Sequence, residues 1–346
     1  MSIPADGTIA GNTTPSGLRS GRMRHMSAPA GTPPLRTTAE QDMTMARGKA
    51  GRRHRKGGIG DFLVNLMLKG VFGLALMLPY RWRVPLFGAL TARVVAPLAG
   101  YRRRIRDNLA LVAPELSQSE LKELLRAVPD NAGRTLIEIY SGREFTDRVK
   151  DLPLDGPGAA ALEEAARQKR PVILVTGHFG NYDVPRAALI ARGYPVGAIY
   201  MPMSNPYFNA HYERAISRIG QPLFARGRKG LAQMLKFLRS GGMTGFLVDQ
   251  HMAHGAPLTF FGKTARTALS AAEMALKYNA LLIPIYGVRQ PNGLDFRIIV
   301  DTPVPHTDPE TMTQALNDSL ERLVREHMGQ WFWIHRRWKG LPAATG

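Results

Sequence analysis

His178 and Asp183 are the residues whose types and spacing first point to chemistry. They close the stretch Val172-Ile173-Leu174-Val175-Thr176-Gly177-His178-Phe179-Gly180-Asn181-Tyr182-Asp183. A carboxylate bonded to one imidazole nitrogen fixes the tautomer and favours the imidazolium that forms when the other nitrogen accepts a proton. A histidine held in this way is a general base. On a continuous helix, residues five apart point about 140° away from each other. The pair can therefore meet only across a loop or a helix start, which Gly177 and Gly180 permit. The chain has no cysteine, and no serine in a nucleophile elbow accompanies the histidine, so the proton comes from a hydroxyl of the substrate. Taken alone, a His-x4-Asp spacing also fits a structural histidine in a core or on a surface.

The elements around this stretch argue for its position. Apolar runs at 172–176, 195–200, 245–248, 281–288 and 294–300 read as strands, and helical periodicity near 183–192, 206–219, 229–240, 268–279 and 309–328 falls between most of them. This alternation predicts an α/β fold, a mixed, mostly parallel central sheet flanked by helices. Clefts in such sheets open at the carboxyl ends of strands, where His178 falls. Residues 101–147 read as helices, with Ser117-Gln118-Ser119-Glu120 as a capping box. The run from Thr264 to Ala268 is expected to lead into a helix.

Upstream, Asp61 to Pro79 is apolar and of about the minimum length for a membrane span, but Lys69 stands in its middle, where a cation is costly. A second apolar stretch, 84–100, is broken by Arg93 and Pro97. A span, a helix lying in one leaflet and a buried core pair all remain open. The expected organisation is a disordered basic tail over 1–57, apolar membrane-anchoring helices over 58–100, and the α/β domain with its leading helices over 101–346. No apolar segment of the signal-peptide kind opens the chain.

Forty-six Lys and Arg against 27 Asp and Glu give a formal net charge of +19. Such an excess suits nucleic acid, an anionic lipid surface or an acidic protein. Ten of the basic residues and three of the acidic ones lie in 1–57, so most of the excess belongs to the folded part. His251 and His254 follow Asp249, but without metalloprotease or facial-triad spacing they do not read as metal ligands. The closing run Trp331 to Lys339 holds three of the chain's four tryptophans. It fits either an interface or a packed terminus.

Several blocks together resemble one family. Thr176–Asp183 is similar to the His-x4-Asp/Glu signature of the lysophospholipid acyltransferase superfamily, and within it of the bacterial lipid A biosynthesis acyltransferases. Arg104–Glu115, Leu247-Val248-Asp249-Gln250, Phe260-Phe261-Gly262 and Trp331–Lys339 resemble further blocks of that family. The resemblance covers roughly 60–340; the acid, commonly Glu there, is Asp183 here. It implies His178 as base and Asp183 as its orienting partner. It further implies substrate-binding roles for Arg228 and Asp249, with Arg226 and Asn181 beside them. The implied reaction moves a fatty acyl chain from acyl carrier protein or acyl-CoA to a hydroxyl of a phosphorylated glycolipid, the lipid A precursor. It needs no metal or organic cofactor and takes place at the cytoplasmic face of the inner membrane. The competing readings are the same chemistry on a lysophospholipid, ornithine lipid or other glycolipid, and a basic nucleic-acid-binding protein.

Overall fold

The computed structural model describes residues 57–340. The tail expected over 1–57 therefore lies, but for its last residue, outside the described residues. The chain enters through helix α1 (Ile59–Leu76), then α2 (Tyr80–Leu90), a π-helical turn (Thr91–Val95) and the short α3 (Ala96–Leu98). Two helices follow, α4 (Tyr101–Val112) and α5 (Gln118–Tyr140), then α6 (Arg143–Val149). The capping box forms at α5: the Glu120 amide donates to Ser117 Oγ, and the Ser117 amide donates to Glu120 Oε2 at 2.8 Å. Each such cap satisfies amide groups that the first helical turn leaves without partners.

From here the α/β domain alternates: β1 (Leu154–Asp155), α7 (Ala159–Arg167), β2 (Val172–Thr176), α8 (Asp183–Ala191), β3 (Val196–Tyr200), α9 (Pro206–Ile219), β4 (Leu223–Ala225), α10 (Arg228–Arg239) and β5 (Met243–Leu247). A hairpin, β6 (Ala256–Phe260) with β7 (Lys263–Thr267), leads to α11 (Ser270–Tyr278), β8 (Leu281–Arg289), β9 (Phe296–Val300) and α12 (Pro309–Glu326). The seven-stranded sheet has the order β1-β9-β8-β2-β5-β3-β4. Strands β8, β2, β5, β3 and β4 run parallel, and β9 with β1 runs against them. The run from Thr264 does lead into a helix, α11 from Ser270, but Lys263–Thr267 itself is strand β7, paired with β6 from Ala256↔Thr267 to Phe260↔Lys263.

Strand β2 is buried throughout, which is why it reads as an unbroken apolar run. Its side chains alternate between two cores. Val172 and Leu174 pack with α8 and α9, whereas Ile173 and Val175 pack with α10 and α11. A third core gathers Phe179, Phe260, Phe261, Tyr286 and the tryptophans 331, 333 and 338. Trp331 and Trp333 meet edge to face at 4.6 Å. The closing aromatic run is thus packed inside, which decides the alternative left by the sequence.

One buried ion pair ties α5 to the end of β8. Glu138 is fully buried, and its Oε2 accepts from Arg289 Nη2 at 2.8 Å and from Asn181 Nδ2 at 2.8 Å. Arg289 Nε donates to Asn131 Oδ1 at 2.8 Å. Removing one partner of such a pair leaves a buried charge uncompensated, at about 3–5 kcal/mol. Arg289→Met is expected to lower unfolding stability by about that much, read as the midpoint shift in urea denaturation of detergent-solubilised protein. The double variant Glu138→Leu/Arg289→Met is expected to recover part of the loss. A single variant as stable as the parent would mean that the pair is not holding α5 to the sheet.

Candidate active site

The loop from Gly177 to Tyr182 is fastened on three sides before α8 begins. The Gly180 amide donates to Gln330 O at 3.0 Å, its carbonyl accepts from Thr135 Oγ1 at 2.8 Å and Asn131 Nδ2 at 3.0 Å, and the Asn181 amide donates to Gly287 O at 3.0 Å. Gly180 has φ +53°, and a Cβ there would stand 1.9 Å from Gly287 O. Only glycine allows both the left-handed turn and the close approach. The Phe332 amide donates to His178 O at 3.0 Å, so the closing segment pins the histidine's own backbone.

His178 meets a carboxylate, and the carboxylate is Asp249. His178 Nδ1 lies 2.8 Å from Asp249 Oδ1, and the His178 amide donates to Asp249 Oδ2 at 2.7 Å. The Trp331 indole donates to the same oxygen at 2.9 Å. Strands β2 and β5 are parallel neighbours with Thr176 opposite Leu247, so two residues beyond each strand end bring His178 and Asp249 side by side. A Cβ on Gly177 would come 3.1 Å from Asp249 Oδ2 and 2.8 Å from Leu320. Glycine there leaves room for the carboxylate.

Burial raises the pKa of Asp249, but the His178 ring beside it, the hydrogen bonds from that ring and from the His178 amide, and the Trp331 indole overcome this and bring it down to about 2. The carboxylate is ionised throughout the neutral range. It favours the tautomer with a proton on Nδ1, which leaves Nε2 as an acceptor. The His178 side chain is 25% exposed. It lines a cavity of about 280 Å³ on the α10–α11 face of the sheet, with Ile199, Phe224, Leu247 and Met274 among the apolar walls and Arg226 and Gln250 among the polar ones. Gln250 Nε2 is 3.4 Å from His178 Nε2.

Asp183 is not the partner of this imidazole. As the first residue of α8 it lines a smaller cavity, of about 80 Å³, on the α8–α9 face. There it accepts from Arg186 Nε at 2.7 Å, and Arg186 also donates to Gly220 O at 3.1 Å and Ile216 O at 3.2 Å. The loop carries the chain around the carboxyl end of the central strand β2, and the two side chains end on different faces. Asn181 is likewise inside the fold, donating to Glu138 and accepting from the Asp183 amide at 3.0 Å. It is fully buried and lines neither cavity. Asp249 is buried behind His178 and does not line the cavity, so its place is against the imidazole. Arg226 is exposed at the cavity wall, whereas Arg228, exposed at the start of α10, lies outside the lining.

Sequence reasoning passed over two supports of this site. The indole of Trp331 is one. Arg337 is the other: fully buried, it donates to Arg266 O at 2.8 Å and to Thr267 Oγ1 at 2.6 Å, tying the closing segment to β7. A basic residue inside an aromatic run was the available signal. His335 lies nearby with its pKa lowered, chiefly by burial. Its Nε2 accepts the His251 amide at 2.9 Å, as a neutral ring can.

Comparison with known proteins agrees with this architecture. The family model described as bacterial lipid A biosynthesis acyltransferase matches residues 50–340. The lipid A biosynthesis lauroyltransferase of Escherichia coli is 24% identical over 279 residues, covering 79% of this chain and 90% of that protein. The myristoyltransferase of the same organism is 25% identical over 275 residues, covering 76% and 82%. A lipid A biosynthesis acyltransferase of Haemophilus influenzae is 26% identical over 245 residues, covering 68% and 77%. With the family model spanning most of its length, the chain belongs to the bacterial lipid A biosynthesis acyltransferases and is an O-acyltransferase.

Proposed function

We propose that this enzyme transfers a fatty acyl chain from the thioester of acyl carrier protein to a hydroxyl of a lipid A precursor, at the cytoplasmic face of the inner membrane. The observation that carries the reading is the 2.8 Å contact between His178 Nδ1 and Asp249 Oδ1, with Nε2 turned to an apolar cavity. His178 Nε2 takes the hydroxyl proton as the acceptor oxygen attacks the thioester carbonyl. Asp249 stabilises the imidazolium that results. Collapse of the tetrahedral species expels the thiolate, which receives the proton back from the imidazolium, and an ester and a free thiol remain. The apolar walls suit an acyl chain, each buried methylene contributing about 0.8 kcal/mol. The relatives' names support a lipid A acceptor and fatty acyl donors of this kind. Exposed Arg226, Arg228 and Lys229 beside the cavity complement the acidic surface of a carrier protein and the phosphates of the acceptor.

His178→Ala is expected to abolish transfer in a detergent assay with acyl carrier protein and lipid A precursor while the far-ultraviolet dichroism is retained. Asp249→Asn should lower kcat on the order of 10³–10⁴-fold by favouring the wrong tautomer. Asp183→Asn, remote from the ring, should act chiefly on stability. If Asp183→Asn removed catalysis in a fully folded enzyme and Asp249→Asn did not, the assignment of the pair would be wrong.

The lowered pKa of Asp249 fixes a pH dependence. Its folded value of about 2 lies below the ordinary 3.8, so its contribution to stability is complete above pH 3.8 and is lost as pH falls towards 2. Thermal unfolding of the parent and of Asp249→Asn should differ by a constant amount above that window and converge within it. Convergence already at pH 5–6 would contradict an ionised, triply bonded carboxylate.

Met274 is almost fully buried in the cavity wall. Met274→Trp is expected to shift the preference towards shorter acyl donors, measured as kcat/KM across a series of acyl carrier protein thioesters. An unchanged profile would place the acyl chain elsewhere.

A further inference from the structure

The large apolar side chains that the fold leaves exposed, among the described residues, fall in residues 59–98 or at the corner between β3 and α9. Helix α1 is long and apolar enough to cross a membrane, and only 11% of it is buried. After it, Trp82, Leu86, Leu90, Val94 and Leu98 are all exposed at four-residue spacing. On an α-helix that spacing drifts around the axis. The π-helical turn at Thr91–Val95 takes more residues per revolution and turns part of the drift back, which keeps the five on one side.

Helix α1 does not leave the body at either end. At its start, Tyr207 Oη donates to Gly57 O at 3.3 Å, Asn205 Nδ2 donates to Asp61 O at 2.9 Å, and the rings of Phe62 and Tyr207 meet at 5.7 Å. Further along, Phe72 stacks on Tyr140 of α5 at 4.1 Å and on Phe87 of α2 at 5.3 Å. At its end, the buried Arg83 donates to Leu76 O at 3.3 Å. An 18-residue helix is about 27 Å long, close to the hydrocarbon thickness of a bilayer. A helix crossing that thickness away from its domain can touch the domain at one end only.

We propose that the protein is monotopic: α1 and the α2–α3 helix lie along one anionic leaflet, with both ends of α1 and the catalytic sheet on the same side. Exposed cations accompany the apolar faces, Lys69 on α1, Arg81 and Arg93 on α2–α3, and Arg102 and Arg103 at the start of α4. A lysine that would be costly at mid-bilayer extends to the headgroups when its helix lies in the interface. The corner between β3 and α9 adjoins the start of α1 through Asn205 and Tyr207, and its exposed Met201 also lines the cavity that holds His178. A lipid could then reach the imidazole from the leaflet sideways. This link to the cavity rests on the proposed function; the one-sided topology does not.

The absence of cysteine gives a labelling test without background. Ser27→Cys reports the side of the chain before α1, and Ser240→Cys, exposed at the end of α10, reports the side of the catalytic domain. A membrane-impermeant maleimide applied to spheroplasts and to inverted vesicles is expected to reach both cysteines in the same preparation. Labelling of the two from opposite sides would show that α1 spans the bilayer and would overturn the proposal. In flotation with phosphatidylglycerol–phosphatidylethanolamine vesicles, Leu86→Glu/Leu90→Glu/Val94→Glu in the full chain should weaken binding at least about tenfold, since charge in apolar lipid is costly. Undiminished binding, or loss of a dimer in place of loss of lipid binding, would overturn it equally. Activity in detergent micelles reads the catalytic assignment separately from either result.

Discussion

A buried carboxylate is expensive unless donors surround it, and that constraint on Asp249 organises the candidate site. Its oxygens draw together three parts of the chain: the loop after β2 through the His178 ring and amide, the end of β5 that carries Asp249, and the closing segment through the Trp331 indole. None of these could move away without leaving a charge in a dry interior. The histidine is held by the same bonds that satisfy its partner, so the order of the site and the electrostatics of the site are one requirement. The loop is braced from its other side by the Glu138–Arg289 pair through Asn131, Thr135 and Asn181. The imidazole is therefore positioned between two buried charge systems, one beneath the loop and one behind the ring.

The closing aromatic run belongs to this logic. Trp331 extends the chain as a bridge partner of Phe179, beside His178, while Trp333 and Trp338 pack with Phe260 and Phe261. Arg337 is pushed down to a pKa of about 10 by burial, yet it keeps its place by donating to carbonyl and hydroxyl oxygens of β7 and by lying over Phe260 at 5.5 Å. A cation amid tryptophans in sequence reads as a surface for membranes or nucleic acid. In three dimensions it is the clasp that closes the third core.

The sheet and its helices were legible because central parallel strands are continuous apolar runs and their helices are amphipathic. Strands expected at 172–176, 195–200 and 281–288 appear within a residue of Val172–Thr176, Val196–Tyr200 and Leu281–Arg289. The strands that escaped notice, β1, β4, β6 and β7, are short or expose every second residue to solvent, so their composition resembles that of loops. His178 was legible from its place at a strand end. Its partner was not, because 71 positions separate it from Asp249, and only the pairing of β2 with β5 makes them neighbours. A near residue of the right chemical type, Asp183, offered itself instead. The signal that could have corrected this was a second acidic residue two positions beyond a second apolar strand.

The position of the cavity has its own cause in the sheet. Strands β3 and β5 are paired from Val196↔Met243 to Ala198↔Gly245 and no further, whereas β3 goes on with β4 to Tyr200↔Ala225 and β5 goes on with β2 to Thr176↔Leu247. Each strand keeps its outer partner and parts from the inner one. Backbone groups beyond the split remain satisfied, the Arg226 amide donating to Tyr200 O and the Val248 amide to Thr176 O, so the opening leaves no orphaned donors on those outer edges. Ile199, Gly245 and Leu247 at the fork line both the larger cavity on one face and the smaller on the other. A flat, fully paired sheet would have closed this space. The parting of two central strands sets an apolar hollow next to the strand end that carries the histidine.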